Sequence, residues 1–169
     1  MIFNYLGKNF IINLFLVLLI FLIDRFSKIY VIYLDKIFFG SEIFSSKFLN
    51  IYLIWNEGIA FGLLSFQKEN FYDILTAIIL IVILSILFIL TQSKGLKKYC
   101  YLMILGGALG NFFDRLFYRA VPDFIDFHVG NFHWFIFNIA DVFITFGVFF
   151  MILFEFVGNT KKESEDEKY

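Results

Sequence analysis

The side chains best suited to do chemistry in this chain are two aspartates. Asp123 lies in Val121-Pro122-Asp123-Phe124-Ile125, and Asp141 in Phe137-Asn138-Ile139-Ala140-Asp141, inside an otherwise apolar run. A carboxylate surrounded by hydrocarbon is costly and marks a functional site by default. Two carboxylates with no metal-ligand spacing beside them point to general acid and base work.

Other polar residues are spaced to support such a pair. Asn111, Asp114 and Arg115 stand at i, i+3 and i+4, and Asn138, Asp141 and Thr145 at i, i+3 and i+7, so each set shares a helix face. Asp24 and Lys28 are four apart, and the simplest reading is an internal ion pair whose lysine snorkels outward. Asp114 and Arg115 read as a helix end anchored at the headgroups, which leaves Asn111 unexplained. Gly106 and Gly110 form a small-xxx-small pattern for close helix approach. Pro122 biases Val121 toward extended backbone, so Asp123 is expected on a non-helical stretch. A hairpin after it would fold Asp123 over Asp141.

Competing chemistry is weaker. Asp126 alternates with Phe124 and His128 and is expected to be the more exposed carboxylate. Asp126, His128 and His133 are potential metal ligands without a metalloenzyme spacing, so no metal is expected. Ser27, Ser65 and Ser85 lack the GxSxG context of a serine hydrolase.

The elements that must position these residues follow from composition. Of 169 residues, 60% are hydrophobic, which exceeds the share in an ordinary soluble domain. The net charge of −1 offers no basic surface for nucleic acid, and two histidines and one cysteine leave little for metal or disulfide chemistry. Spanning a bilayer takes about 20 apolar residues. Four runs qualify, at about 10–34, 74–91, 99–117 and 134–154. The first has no small-x-small cleavage site behind it and is read as a permanent helix rather than a signal peptide.

The expected architecture is therefore an all-α four-helix membrane bundle in one domain, 1–158, with a charged cytoplasmic tail at 159–169 whose acidic end, Glu163 to Glu167, is expected to be disordered. Lys8, Lys94, Lys97, Lys98, Lys161 and Lys162 fall at one end of the spans, against Lys36 and Arg119 at the other. The positive-inside rule puts both termini in the cytoplasm. Outside, Phe48 to Ile54 is rich in strand formers, Asn56-Glu57-Gly58 is a turn signal, and Val129-Gly130-Asn131-Phe132 suits a hairpin. A small sheet resting on the helix ends is expected.

Five stretches then stand in order. They are Asp24-Arg25-Phe26-Ser27-Lys28, Asn56-Glu57-Gly58-Ile59-Ala60-Phe61-Gly62, Gly106 to Arg115, Val121-Pro122-Asp123-Phe124, and Phe137 to Asp141. Together they closely resemble the bacterial lipoprotein signal peptidases (signal peptidase II), over roughly residues 24 to 145. The resemblance implies a multi-pass aspartic peptidase of the bacterial inner (cytoplasmic) membrane with its site near the extracytoplasmic face. Such an enzyme cleaves diacylglyceryl-modified prolipoproteins before the lipidated cysteine, and it uses no metal or cofactor. It makes Asp123 and Asp141 the catalytic pair, surrounded by Asn56, Asn111, Arg115, Asn138 and Gly107, with Asp24 and Lys28 as nearby support. The expected partners are prolipoprotein substrates and membrane lipid, not nucleic acid, and nothing in the sequence requires more than a monomer. The alternative is a small transport protein or complex subunit that uses an Asp pair for proton transfer.

Overall fold

A computed structural model describes residues 8–58 and 69–166 of the chain. The element order is α1 (Lys8–Ile37), β1 (Phe44–Ser45), β2 (Leu49–Asn56), α2 (Glu69–Gln92), α3 (Gly95–Tyr118), β3 (Val121–Val129), β4 (Phe132–Phe137) and α4 (Ile139–Asp166). The Ile59-Ala60-Phe61-Gly62 stretch lies outside the described residues.

Helix α1 buries one narrow stripe, Val17, Ile20, Asp24, Lys28 and Val31, which recurs every three or four residues. Around the rest of its surface, Phe15, Leu18, Leu22, Ile29 and Tyr33 are exposed. α2 and α4 likewise expose Ile81, Leu84 and Phe88, and Phe149 and Ile152. Apolar surface on this scale suits a hydrocarbon surround. Helices α1, α2 and α4 are each long and apolar enough to cross a membrane.

α3 differs from its neighbours and does not join those three. It is the central helix, packed against α1, α2 and α4. Its buried face carries Gly106, Gly107, Gly110, Asn111 and Asp114 beside Leu102, Ile104 and Leu105. The glycines and polar residues of this face, with Lys97 and Lys98 in the first turn, lower the apolar content of the helix. The core proper joins Val17, Ile83, Ile86, Leu102, Ile104 and Leu105.

The glycines set how closely the helices approach. A Cβ on Gly106 would lie 2.8 Å from the Ile20 side chain of α1, and one on Gly107 2.5 Å from the Ala140 carbonyl oxygen of α4. The Gly106 and Gly110 pattern thus admits α1, where Gly110 meets Asp24, and the adjacent Gly107 admits α4.

All four strands form one antiparallel sheet in the order β1-β2-β3-β4. β2 and β3 belong to different interhelical connections, and their register pairs Asn56 with Val121 and Ile54 with Asp123. β3 and β4 form the expected hairpin, with Val129 opposite Phe132. Gly130 at its tip has φ +59°, and Asn131 keeps negative φ, as in a type II′ turn. Pro122 sits where β3 is paired with β2 only, since β4 joins no earlier than Ile125, so its missing N–H leaves no gap in a ladder.

Two expectations need correction. The fourth apolar run does not start a helix at Trp134; residues up to Phe137 belong to β4, and α4 starts at Ile139. Hydropathy alone does not separate an apolar strand from an apolar helix turn. Nor does the charged stretch after 158 begin as irregular chain: the α4 backbone runs on to Asp166, in keeping with the helix propensity of Lys and Glu.

Candidate active site

Asp141 occupies the third position of α4, and Asn138 is its N-cap rather than a member of the helix. The Asn138 Oδ1 accepts from the Asp141 N–H at 3.1 Å, and the Asp141 Oδ2 accepts from the Asn138 N–H at 3.2 Å. This reciprocal pair is a capping box. The next orphan donor, the Ala140 N–H, is taken by the Asp24 Oδ1 of α1 at 3.0 Å. Two carboxylates at one helix N-terminus match the positive end of its dipole.

Asp123 comes from the sheet. Asn56 of β2 donates to its Oδ2 at 2.9 Å, and Asn138 donates to its Oδ1 at 2.6 Å. Asn138 therefore joins the two aspartates directly, by its side chain to one and its backbone to the other. Asn111 of α3 completes the set by donating to the Asp141 Oδ1 at 2.7 Å.

Each asparagine amide is oriented by a second bond. The Asn56 Oδ1 accepts from the Gly58 N–H at 3.0 Å, the Asn138 Oδ1 accepts from Asp141, and the Asn111 Oδ1 accepts from Lys28 Nζ at 2.9 Å. With every carbonyl oxygen engaged, every NH₂ group is left facing a carboxylate. Burial, and then the neighbouring charge of Asp141, push the Asp123 carboxyl up to about 6, against the hydrogen bonds from Asn56 and Asn138.

Behind the pair is a buried ion cluster that the sequence reading divided wrongly. Arg25 donates to Asp24 at 2.8 Å and grips Asp114 through both terminal nitrogens. Lys28 Nζ lies 3.0 Å from the Asp24 carboxylate and 2.7 Å from that of Asp114. The Asp24–Lys28 pair is present, but Lys28 does not snorkel: it is fully buried, as are Asp24 and Asp114. Asp114 is likewise no headgroup anchor. Arg25, which the sequence reading left without a role, holds this cluster together and lies 4.9 Å above the Phe113 ring.

Arg115 donates to the Asn111 carbonyl at 3.2 Å and to the Gly58 carbonyl at 3.4 Å, tying the outer loop to α3. Gly107 lets the start of α4 close onto α3. Asp126 reverses its expectation: it is fully buried, 2.8 Å from His133 Nδ1. Phe124, Asp126 and His128 do share a strand face, but it is the inward one: Phe124 and Asp126 are buried and His128 is half-buried, whereas Phe127 and Val129 are exposed.

Two cavities reach the aspartates. One, of about 460 Å³, is walled by Phe127, Phe132, Trp134, Phe137 and Phe146 and touches Asp141. The other, of about 620 Å³, opens on Asn56, Glu57 and Asp123. Trp134 and Phe135 line both.

Residues 16–157 match the family model described as "Signal peptidase (SPase) II". The chain belongs to the signal peptidase II family. It is thus an aspartic peptidase that removes signal peptides from prolipoproteins, and the transport alternative is not favoured. A lipoprotein signal peptidase of Pelagibacter ubique is 46% identical over 158 residues, 94% of this chain and 95% of its own. One from Anaplasma marginale is 39% identical, covering 91% and 89%. A solved bacterial membrane enzyme structure superposes with TM-score 0.67 at 33% identity, over 89% of this chain and 90% of that one.

Proposed function

We propose that Asp123 and Asp141 are the catalytic pair of this signal peptidase. In this reading Asn56, Asn111, Asn138 and Arg115 orient them, and Asp24, Lys28 and Gly107 fix the elements that carry them. The observation that carries the reading is Asn138, bonded to Asp123 by its side chain and to Asp141 by its backbone.

Two carboxylates so placed share one proton and titrate as a unit. The ionised member takes a proton from water, and the resulting oxygen attacks the scissile carbonyl carbon. The protonated member donates to the carbonyl oxygen, giving a neutral tetrahedral diol. Collapse returns a proton to the departing nitrogen as the C–N bond breaks, releasing an amine and a carboxylic acid.

The substrate is a prolipoprotein whose cysteine after the scissile bond carries diacylglycerol. The aromatic cavity at Asp141 suits the apolar part of that substrate, and the more polar cavity at Asp123 suits water entry.

The protein sits in the bacterial inner membrane with α3 as a fourth span and both termini cytoplasmic. At 24 residues α3 is about 36 Å long, enough to cross. The strands all fall in the α1–α2 and α3–α4 connections, whereas Lys94, Lys97 and Lys98 mark the α2–α3 end. The site therefore faces the extracytoplasmic side.

The test is a gel-shift cleavage assay on purified protein with a diacylglyceryl-modified prolipoprotein and its unlipidated twin. Cleavage of the lipidated form alone, reduced by about 10³-fold or more in both Asp123→Asn and Asp141→Asn at unchanged fold, is the expected result. Near-wild-type cleavage by either variant would refute the dyad.

A further inference from the structure

Asp126, His128 and His133 lie on the β3–β4 hairpin, outside the proposed dyad. His128 and His133 are direct partners across the ladder, with rings stacked 5.1 Å apart. The Asp126 carboxylate is completely buried, and among the described residues its one ion-pair partner is His133, at 2.8 Å. Tyr52 adds a long hydrogen bond of 3.5 Å. One donor atom from each of the three residues lies within 4.8 Å of those of the other two. The Nδ1 of His128 is shielded from solvent and has no hydrogen-bond partner. That last feature is the informative one, because a buried ring nitrogen without a partner is costly unless something is to occupy it.

We propose that this trio is a binding site for a divalent transition-metal ion of the zinc class, held by the Asp126 carboxylate and one ring nitrogen each of His128 and His133. Two imidazoles and one carboxylate are a donor set that suits zinc, with water in the fourth, open position. Tetrahedral zinc with bonds of about 2.0–2.1 Å needs donors about 3.4 Å apart, so donors up to 4.8 Å apart must close by up to about 1.4 Å, while Asp126 and His133 Nδ1, 2.8 Å apart, must open slightly. The exposed side chain of His133 has room to swing. Among the described residues, buried Asp126 accepts its one supporting hydrogen bond from Tyr52, at 3.5 Å.

The ion would play a structural part. His128 lines the apolar cavity at Asp141, and His133 lines the cavity at Asp123. Clamping these two residues pins the hairpin that divides the two cavities. The proposal is independent of the peptidase assignment, because none of its ligands is in the proposed dyad.

The experiment is a titration of the full-length, detergent-purified protein, carrying no histidine tag, with Co²⁺ followed by visible absorbance, then displacement by Zn²⁺. Wild type, His128→Gln, His133→Gln and Asp123→Asn are compared. One ion per chain is expected, with affinity lowered at least about tenfold in each histidine variant and unchanged in Asp123→Asn. Since His128 and His133 are the protein's two histidines, Zn²⁺ should also protect wild type from histidine acylation by diethylpyrocarbonate. This readout requires no variant to fold. Absence of saturable binding up to about 100 µM metal overturns the site, since such an affinity would add little stability. Binding that survives in either histidine variant, binding lost in Asp123→Asn, or acylation unaffected by Zn²⁺ overturns it equally.

Discussion

Four buried or half-buried aspartates sit close together, and two of them are neutralised while two are not. Asp24 and Asp114 carry two negative charges and are met by two positive ones, Arg25 and Lys28. Asp123 and Asp141 have no cation bonded to them among the described residues; the side chains bonded to them are the neutral amides of Asn56, Asn111 and Asn138. A cation beside a carboxylate balances its charge and locks it into an ion pair. An amide holds a carboxylate in place without supplying a counter-charge. The same residue type thus serves as mortar in one cluster and as reagent, on the proposed reading, in the other. Lys28 connects the two, through Asn111, without bonding either member of the second pair.

The contrast can be broken from the mortar side. Asp114→Asn strands two buried cations on one carboxylate, and removing one partner of a buried ion pair typically costs about 3–5 kcal/mol. The expected result is a large fall in thermal midpoint and in yield of folded protein. Asp123→Asn, by comparison, should keep the fold while losing cleavage. Equal stability of the two variants would erase the distinction.

The second prediction uses pH. The Asp123 carboxyl, at about 6 in the folded protein, lies above its ordinary value of 3.8. The folded state then binds more protons than the unfolded state between those values. Stability is therefore full below about pH 4 and declines as pH rises to about 6, by roughly 3 kcal/mol for a shift of this size. Melting curves of wild type and Asp123→Asn across pH 4 to 7 check it: the variant should lack that part of the decline.

Orientation by amides predicts a graded effect. Asn111→Ala leaves the Asp141 Oδ1 without its donor and Lys28 without an acceptor, and loss of such a bond is worth about 1.5–3 kcal/mol. Cleavage should drop by about 10- to 100-fold, more in kcat than in KM. The smallest effect belongs to an ion pair in solvent. Lys97 and Glu155 pair at the surface with both side chains well exposed, so Lys97→Ala should leave the melting temperature unchanged.

Much of this arrangement is legible in the sequence, and the parts that are not share a cause. Asp141 was visible because an acid in an apolar run stands out. The hairpin was visible because Gly130-Asn131 has one dominant use. Asp114 is misjudged when read on its own helix, because its partner Arg25 lies 89 positions away in sequence. Trp134 to Phe137 were assigned to a helix because, when the surround is apolar, a strand and a helix turn carry the same composition. Asp126 is misplaced because alternation says which residues share a strand face but not which face turns inward.

The bond from the Ala140 N–H to Asp24 also bears on biogenesis. It joins the first helix to the first turn of the last one. Until α4 packs against α1, its first turn lacks the Asp24 acceptor for the Ala140 N–H. On the proposed reading, the two aspartates are held together only once the last helix has docked on the first, so an undocked chain would be a silent one.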